Sequence, residues 1–256
     1  MNGTQIAFIV VGTGLLVALA SYGVFRLVGV ELRRRHLEVG TAIFLQAGVI
    51  YAVFLAFIFG QALTSYVEAD NATDNECAAL HGAAILSRSL PPAQGAQMAA
   101  ALETYIDAVI DTEWPAMRES RSESPQALAA EVALLTRANS LDLQQQKDIA
   151  NQSRIITLLI EAHREREERI FQARQGIPDG LWAMILVYCG VLVGLVFFSS
   201  LEYAWSHATL SGIFGGLNAI TLLACFLLQY PFEGPFRLSS SSFMTTKVRV
   251  QAALSQ

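Results

Sequence analysis

The sequence predicts an all-α membrane protein: a four-span transmembrane helical bundle with a helical domain inserted between spans two and three. Three observations carry that expectation. The 256-residue chain is 53% hydrophobic and only 15% charged, whereas soluble domains average about 25% charged. Its apolar residues gather into four runs, each long enough to cross a bilayer at about 20 residues per helix. The charge collects instead in the stretch between the second and third runs.

The four runs cover residues 6–28, 41–67, 181–203 and 208–230, and none carries a central charge. Backbone groups inside hydrocarbon must bond to one another, so such runs are expected as helices. The first reads as a retained helix and not a cleaved signal: no basic residue precedes it and no small-residue cleavage site follows. Trp182 stands at the start of the third run, Tyr203 and Trp205 at its far end, and Tyr230-Pro231 closes the fourth. Trp and Tyr favour the headgroup level. The organisation is therefore 1–67 for spans one and two, 68–177 for the water-soluble domain, 178–230 for spans three and four, and 231–256 for a polar tail.

Residues 68–177 hold 17 acidic and 10 basic side chains, a balance of −7. Four helices are expected there. The first continues span two through Glu68, Glu76, Leu80 and Leu86 to Pro91-Pro92. The second places Met98, Leu102, Tyr105 and Val109 on one face at helical spacing and stops at Trp114-Pro115. The third opens at Ser124-Pro125, a capping residue followed by Pro at the first helical position, with Leu128, Val132 and Leu135 as its apolar face. The fourth runs from about Leu141 to Gln175. Ser239-Ser240-Ser241-Ser242 in the tail reads as flexible or turn-like.

Orientation signals conflict. Arg33-Arg34-Arg35-His36, with Arg26 before it, marks the first short loop as cytoplasmic by the positive-inside rule, which places the inserted domain outside a bacterial plasma membrane. Arg164, Arg166, Arg169 and Arg174 ahead of span three, with Arg237, Lys247 and Arg249 in the tail, favour the reverse.

Several chemistries are disfavoured. Cys77, Cys189 and Cys225 are odd in number and scattered, and no Cys-x-x-Cys pair exists to hold zinc. His163 and Glu167 have i, i+4 spacing suited to a metal, but they lie in the run from Glu161 to Arg169, whose alternating charges read as a solvated helix face. His81 has no nucleophile near it in sequence, and no Gly-rich phosphate loop follows a strand. No basic patch suits nucleic acid. No cofactor, no metal site and no enzymatic activity are expected.

The spans offer more. Ser211, Asn218, Thr221, Cys225 and Gln229 form a polar stripe on span four, read as interhelical hydrogen bonding or as a hydrated path. Gly212 and Gly216 lie on another face, and Gly190 and Gly194 repeat their Gly-x-x-x-Gly spacing in span three. On span two, Gln46, Ile50, Val53, Phe57, Gln61 and Thr64 form a stripe polar at both ends and apolar in the middle. A ring of such helices makes a constriction that gates by dewetting; an ordinary helix contact is the plainer reading.

Four segments, in order, resemble the bestrophin-like domain family of membrane proteins. They are Glu68 after span two, Thr112-Glu113-Trp114-Pro115-Ala116-Met117, Ile177-Pro178-Asp179-Gly180-Leu181-Trp182, and Pro231-Phe232-Glu233-Gly234-Pro235-Phe236-Arg237-Leu238. Gln229-Tyr230 stands where that family carries an acidic residue, so no ion is assigned to the turn. The resemblance implies kinship with bestrophins, pentameric anion channels whose second helix lines an apolar neck, and it implies a cytosolic place for the intervening helices. On that reading the chain is an oligomeric ion channel in the lipid bilayer, with Gln46, Ile50, Val53, Phe57 and Gln61 at its constriction. Glu68 at its mouth suits a cation path or a subunit interface better than an anion path. The rival is a membrane-anchored sensor or scaffold whose domain binds a partner through residues such as Arg118 and Glu123.

Overall fold

The computed structural model describes residues 3–28, 37–198 and 203–255. In chain order the helices are α1 (Gly3–Leu27), α2 (Leu37–Ser87), α3 (Pro92–Ala108), a π-helical turn (Val109–Glu113), α4 (Trp114–Ser120), α5 (Pro125–Asn139), α6 (Gln146–Arg174), α7 (Asp179–Phe197), α8 (Ala204–Leu228) and α9 (Ser241–Ser255). The described residues form no strand. Arg33-Arg34-Arg35-His36 lies outside the described residues. Two compact units emerge, one from residues 1–63 and 177–229, the other from 64–176 and 230–256.

The first unit holds the apolar helices. α1, the apolar part of α2, α7 and α8 are each long and apolar enough to cross a membrane. Their outer faces stay uncovered: Phe8 is 82% exposed and Val187 66%. Such surface belongs in lipid, where it is not an aggregation hazard. α1 and α8 approach closely through small residues. A Cβ on Gly212 would stand 2.9 Å from the carbonyl oxygen of Gly14 and 3.0 Å from Cβ of Ala18. The same spacing in α7 does something else, since a Cβ on Gly190 or Gly194 meets nothing within 4 Å. Tyr51, Ile58 and Ala62 of α2 pack with Ile185 and Leu192 of α7 and Cys225 of α8. Tyr203 and Trp205 belong to the start of α8, Tyr203 as its N-cap, and not to the far end of the preceding helix.

The second unit has its own core, in which Leu80, Met98, Leu102, Ile106, Met117, Leu134, Ile155, Phe232 and Phe243 are buried. The face expected on α3 is present, with Met98, Leu102, Tyr105 and Val109 all buried. The chain does not stop at Trp114-Pro115. It passes through the π turn into α4, with Pro115 in the first turn, where its missing N–H costs no hydrogen bond. Ser124 caps α5, its Oγ accepting from the amides of Gln126 and Ala127.

Three expectations need correction. Of the apolar face assigned to α5, Leu128 and Val132 are exposed and only Leu135 packs against the core, partly buried, while Ala127, Glu131, Leu134 and Ala138 are buried. The run from Glu161 to Arg169 is two-sided and not simply solvated. Glu161, Arg164, Glu167 and Glu168 face water, whereas Glu165, Arg166 and Arg169 are buried. The serine-rich tail is no loose end: from Ser241 it forms α9, which inserts Phe243 and Val250 into the core.

Candidate functional site

The α2 stripe is open. Gln46, Ile50, Val53, Phe57 and Gln61 in the first unit, and Thr64 where the second begins, are all exposed within the single chain, Phe57 at 66%. At about 100° per residue they fall on one arc, and the buried set of Tyr51, Ile58, Ala62 and Ser65 lies about a third of a turn away. Packing within the chain therefore consumes one face of α2 and leaves this one uncovered.

The span-four stripe has a different fate. Ser211, Cys225 and Gln229 are buried. Ser21 of α1 donates to Ser211 at 2.9 Å and lies 2.6 Å from Nδ1 of His207, a residue absent from the expected stripe. Gln229 accepts from the indole N–H of Trp182 at 3.0 Å. Asn218 and Thr221 bond back to the carbonyls of Phe214 and Leu217 on their own helix. Each of these polar side chains, Cys225 apart, has a protein partner, which is how polar groups persist in an apolar bundle.

In the second unit the motif residues converge on the segment after α8. Trp114 donates to the carbonyl of Leu238 at 3.4 Å and meets Phe232 edge-on at 5.3 Å. Gly234 takes φ 73°, a conformation that suits a residue without Cβ. Pro231 accepts from the amide of Leu238 at 2.8 Å, closing the loop. Arg121, itself at φ 52°, grips Glu233 with two hydrogen bonds of 2.5 and 3.0 Å. Its guanidinium also lies 3.4 Å from the centre of the Tyr230 ring. Bidentate pairing and stacking together fix the loop more firmly than either alone. Glu68 is exposed and accepts from Gln172 at 2.9 Å.

The same unit contains a buried ion-pair row. Arg169 of α6 donates to Glu76 of α2 at 2.9 Å and to Glu113 of the π turn at 2.8 Å. Arg166, one turn earlier, donates to Glu113 at 2.5 Å and to Glu131 of α5 at 3.0 Å. Tyr105 donates to Glu76 at 2.5 Å. Arg169 also contacts Met117 and lies over the rings of Trp114 and Phe243. Burial alone would raise the Glu113 carboxyl, but the charge of Arg169 and the hydrogen bonds from Arg166 overcome it and hold Glu113 below its ordinary value. Burial, then the charge of Glu76, pushes the Tyr105 phenol up. Sequence reasoning missed this row, although a signal existed. Arg166 and Arg169 fall on the helical phase of Ile155, Leu159, Ala162 and Ala173, all buried. Nδ1 of His163 lies 3.2 Å from Glu131. The described residues hold no cluster of three metal-ligating side chains.

The bestrophin-like domain matches residues 11–243 of the chain. The chain belongs to the bestrophin-like family. Solved structures agree in fold. A variant of a bacterial bestrophin homologue from Klebsiella pneumoniae superposes with a TM-score of 0.77 at 15% identity, covering 98% of this chain and 100% of that one. A second variant from the same organism gives 0.76 at 15%, with the same coverage. A structure described as a membrane protein gives 0.75 at 14%, covering 98% and 99%. At such identities the likeness is one of fold. No curated protein matches the chain. The segments after α2, around Trp114 and into α7 lie inside the bestrophin-like match, as do the loop that follows α8 and the first three residues of α9.

Proposed function

We propose that this bestrophin-like chain is one subunit of an oligomeric ion channel, in which α2 helices from several copies surround the path. One observation carries the reading: the stripe Gln46, Ile50, Val53, Phe57 and Gln61 is wholly exposed in the single chain while the adjacent face of α2 is packed. Apolar side chains in its middle form a constriction that dewets, and the glutamines at either end keep water at its mouths. Phe57 is the largest side chain of the stripe and sets its narrowest point. Glu68, exposed beyond the stripe, supports cation passage over anion passage because a carboxylate near a narrow path attracts cations. The span-four stripe bonds within the chain, so it supports α2 and not α8 as the lining helix.

Flux in liposomes tests this, with anion and cation gradients imposed separately on wild-type protein and Phe57→Ala. The reading expects flux, raised by Phe57→Ala and greater for cations. Folded protein in both orientations that passes neither kind of ion would replace the channel with a membrane-anchored sensor.

A further inference from the structure

Gln172 of α6 holds two carboxylates against one nitrogen. Its Nε2 donates to Glu68 of α2 at 2.9 Å and to Glu168, one turn back on α6, at 2.7 Å. The i, i+4 spacing sets Glu168 beside Gln172, and Glu68 reaches the same atom from the other helix. Gln172 is only 3% exposed, whereas both glutamates are exposed. With both N–H groups of the amide spent on carboxylates, its Oε1 is left buried and without a hydrogen bond among the described residues. A buried acceptor left unpaired is costly and calls for a ligand. Among the described residues no Lys, Arg or His pairs with Glu68 or Glu168. The arginines of α6 nearest in sequence are engaged elsewhere: Arg164 with Glu161 and Glu165, Arg169 with Glu76 and Glu113, Arg174 with Glu123.

The amide can present its other atom. The terminal torsion of Gln is broad and roughly two-fold, so a half-turn puts Oε1 where Nε2 stands, 2.9 and 2.7 Å from the two carboxylate oxygens. Three oxygens so close repel one another unless a cation sits among them. Magnesium takes oxygen ligands octahedrally at about 2.0–2.1 Å, which sets neighbouring ligand oxygens about 2.9 Å apart. Calcium, at about 2.3–2.6 Å, sets them about 3.3 Å apart or more. The spacing therefore fits magnesium. The exposed glutamates leave the rest of the shell to water, which magnesium gives up reluctantly. No three His, Cys, Asp or Glu side chains gather here; the third oxygen is the amide's.

We propose that Glu68, Glu168 and Gln172 bind one hydrated magnesium ion, with the amide turned so that Oε1 replaces Nε2 between the carboxylates. Without metal, the amide N–H groups bridge the glutamates. With metal, all three side chains supply oxygen and the ion ties α2 to α6. The site lies within the second unit of a single chain and requires no pore, so it stands apart from the function proposed above.

Calorimetric titration of magnesium chloride into the chelator-treated, full-length protein in detergent tests it. One saturable site per chain is expected. Glu68→Gln and Glu168→Gln should each weaken binding by at least about tenfold, since even the loss of a residue that only supports a ligand costs that much. Both glutamates are exposed, so these variants should fold. Gln172→Glu separates a metal ligand from a simple bridge. It sets three carboxylates together, so the metal-free variant should melt below wild type, yet it should bind magnesium several-fold more tightly. A wild type that takes up no magnesium at about 10 mM, beyond the range of weak oxygen-ligand sites, would overturn the proposal. So would binding that survives both glutamate substitutions, or a Gln172→Glu variant that binds more weakly than wild type.

Discussion

At the scale of single residues, the side chains whose partners are costly to remove are charged. Arg166 and Arg169 occupy positions of α6 that an apolar helix face would give to leucine, and they are tolerated because Glu76, Glu113 and Glu131 meet them from three other elements. Removing one partner leaves a buried guanidinium uncompensated, which costs about 3–5 kcal/mol. Glu113 bonds both arginines, so Glu113→Gln should destabilise the protein by about that amount at pH 7 in thermal or urea melts. The pH dependence has a fixed sign. Glu113 is held below its ordinary value of 4.5, so its contribution is present above that pH and is lost as pH falls through the lowered value. Wild type should therefore lose stability steeply below about pH 4.5, and the Gln variant should lack that component. The sequence shows the charges, but it does not show that residues so far apart in the chain would meet. Local reasoning sends Arg166 and Arg169 to water, and only the facing elements bring them in.

At the scale of elements, legibility depends on whether a helix's neighbours are apolar. α3 was readable because Met98, Leu102, Tyr105 and Val109 pack on apolar residues, so hydrophobic period and burial coincide. α5 was not. Arg166 draws Glu131 inward, and that rotation leaves Leu128 and Val132 outside. The two Gly-x-x-x-Gly pairs look alike in sequence, yet only the pair in α8 has a helix against it. Hence Gly212→Leu should cost about 1–3 kcal/mol by overpacking against Gly14 and Ala18, whereas Gly190→Leu should be nearly neutral. Parallel thermal melts in one detergent compare the two directly. Equal loss from both would mean that α7 packs on another surface through that glycine. The α2 stripe was legible in composition alone: its exposure within the single chain follows from the packing of Tyr51, Ile58 and Ala62, which no period announces.

At the scale of the whole molecule, the number of apolar helices constrains the arrangement more tightly than any charge signal. Four crossings return the chain to the side from which it began, so the segment before α1, the domain between α2 and α7, and α9 should share one side. A protease site placed in the exposed connection 140–145, with cleavable tags at both termini, checks this in sealed membrane vesicles of known orientation. All three should be cut, or all three protected, together. Which of the two occurs then decides orientation. Cleavage from the outer face is what Arg33-Arg34-Arg35-His36 predicts, and protection is what the bestrophin resemblance implies. Of the basic residues ahead of α7 and in the tail, Arg166 and Arg169 are buried in ion pairs, Arg174 pairs with Glu123, and Lys247 pairs with Asp107. The positive-inside rule counts Lys and Arg in short loops and close to the span ends, whereas long domains translocate largely regardless of charge, so the inserted domain's basic residues count for less than those of a short loop. A split result, with α9 on the opposite side from the inserted domain, would require one of the four apolar helices not to cross.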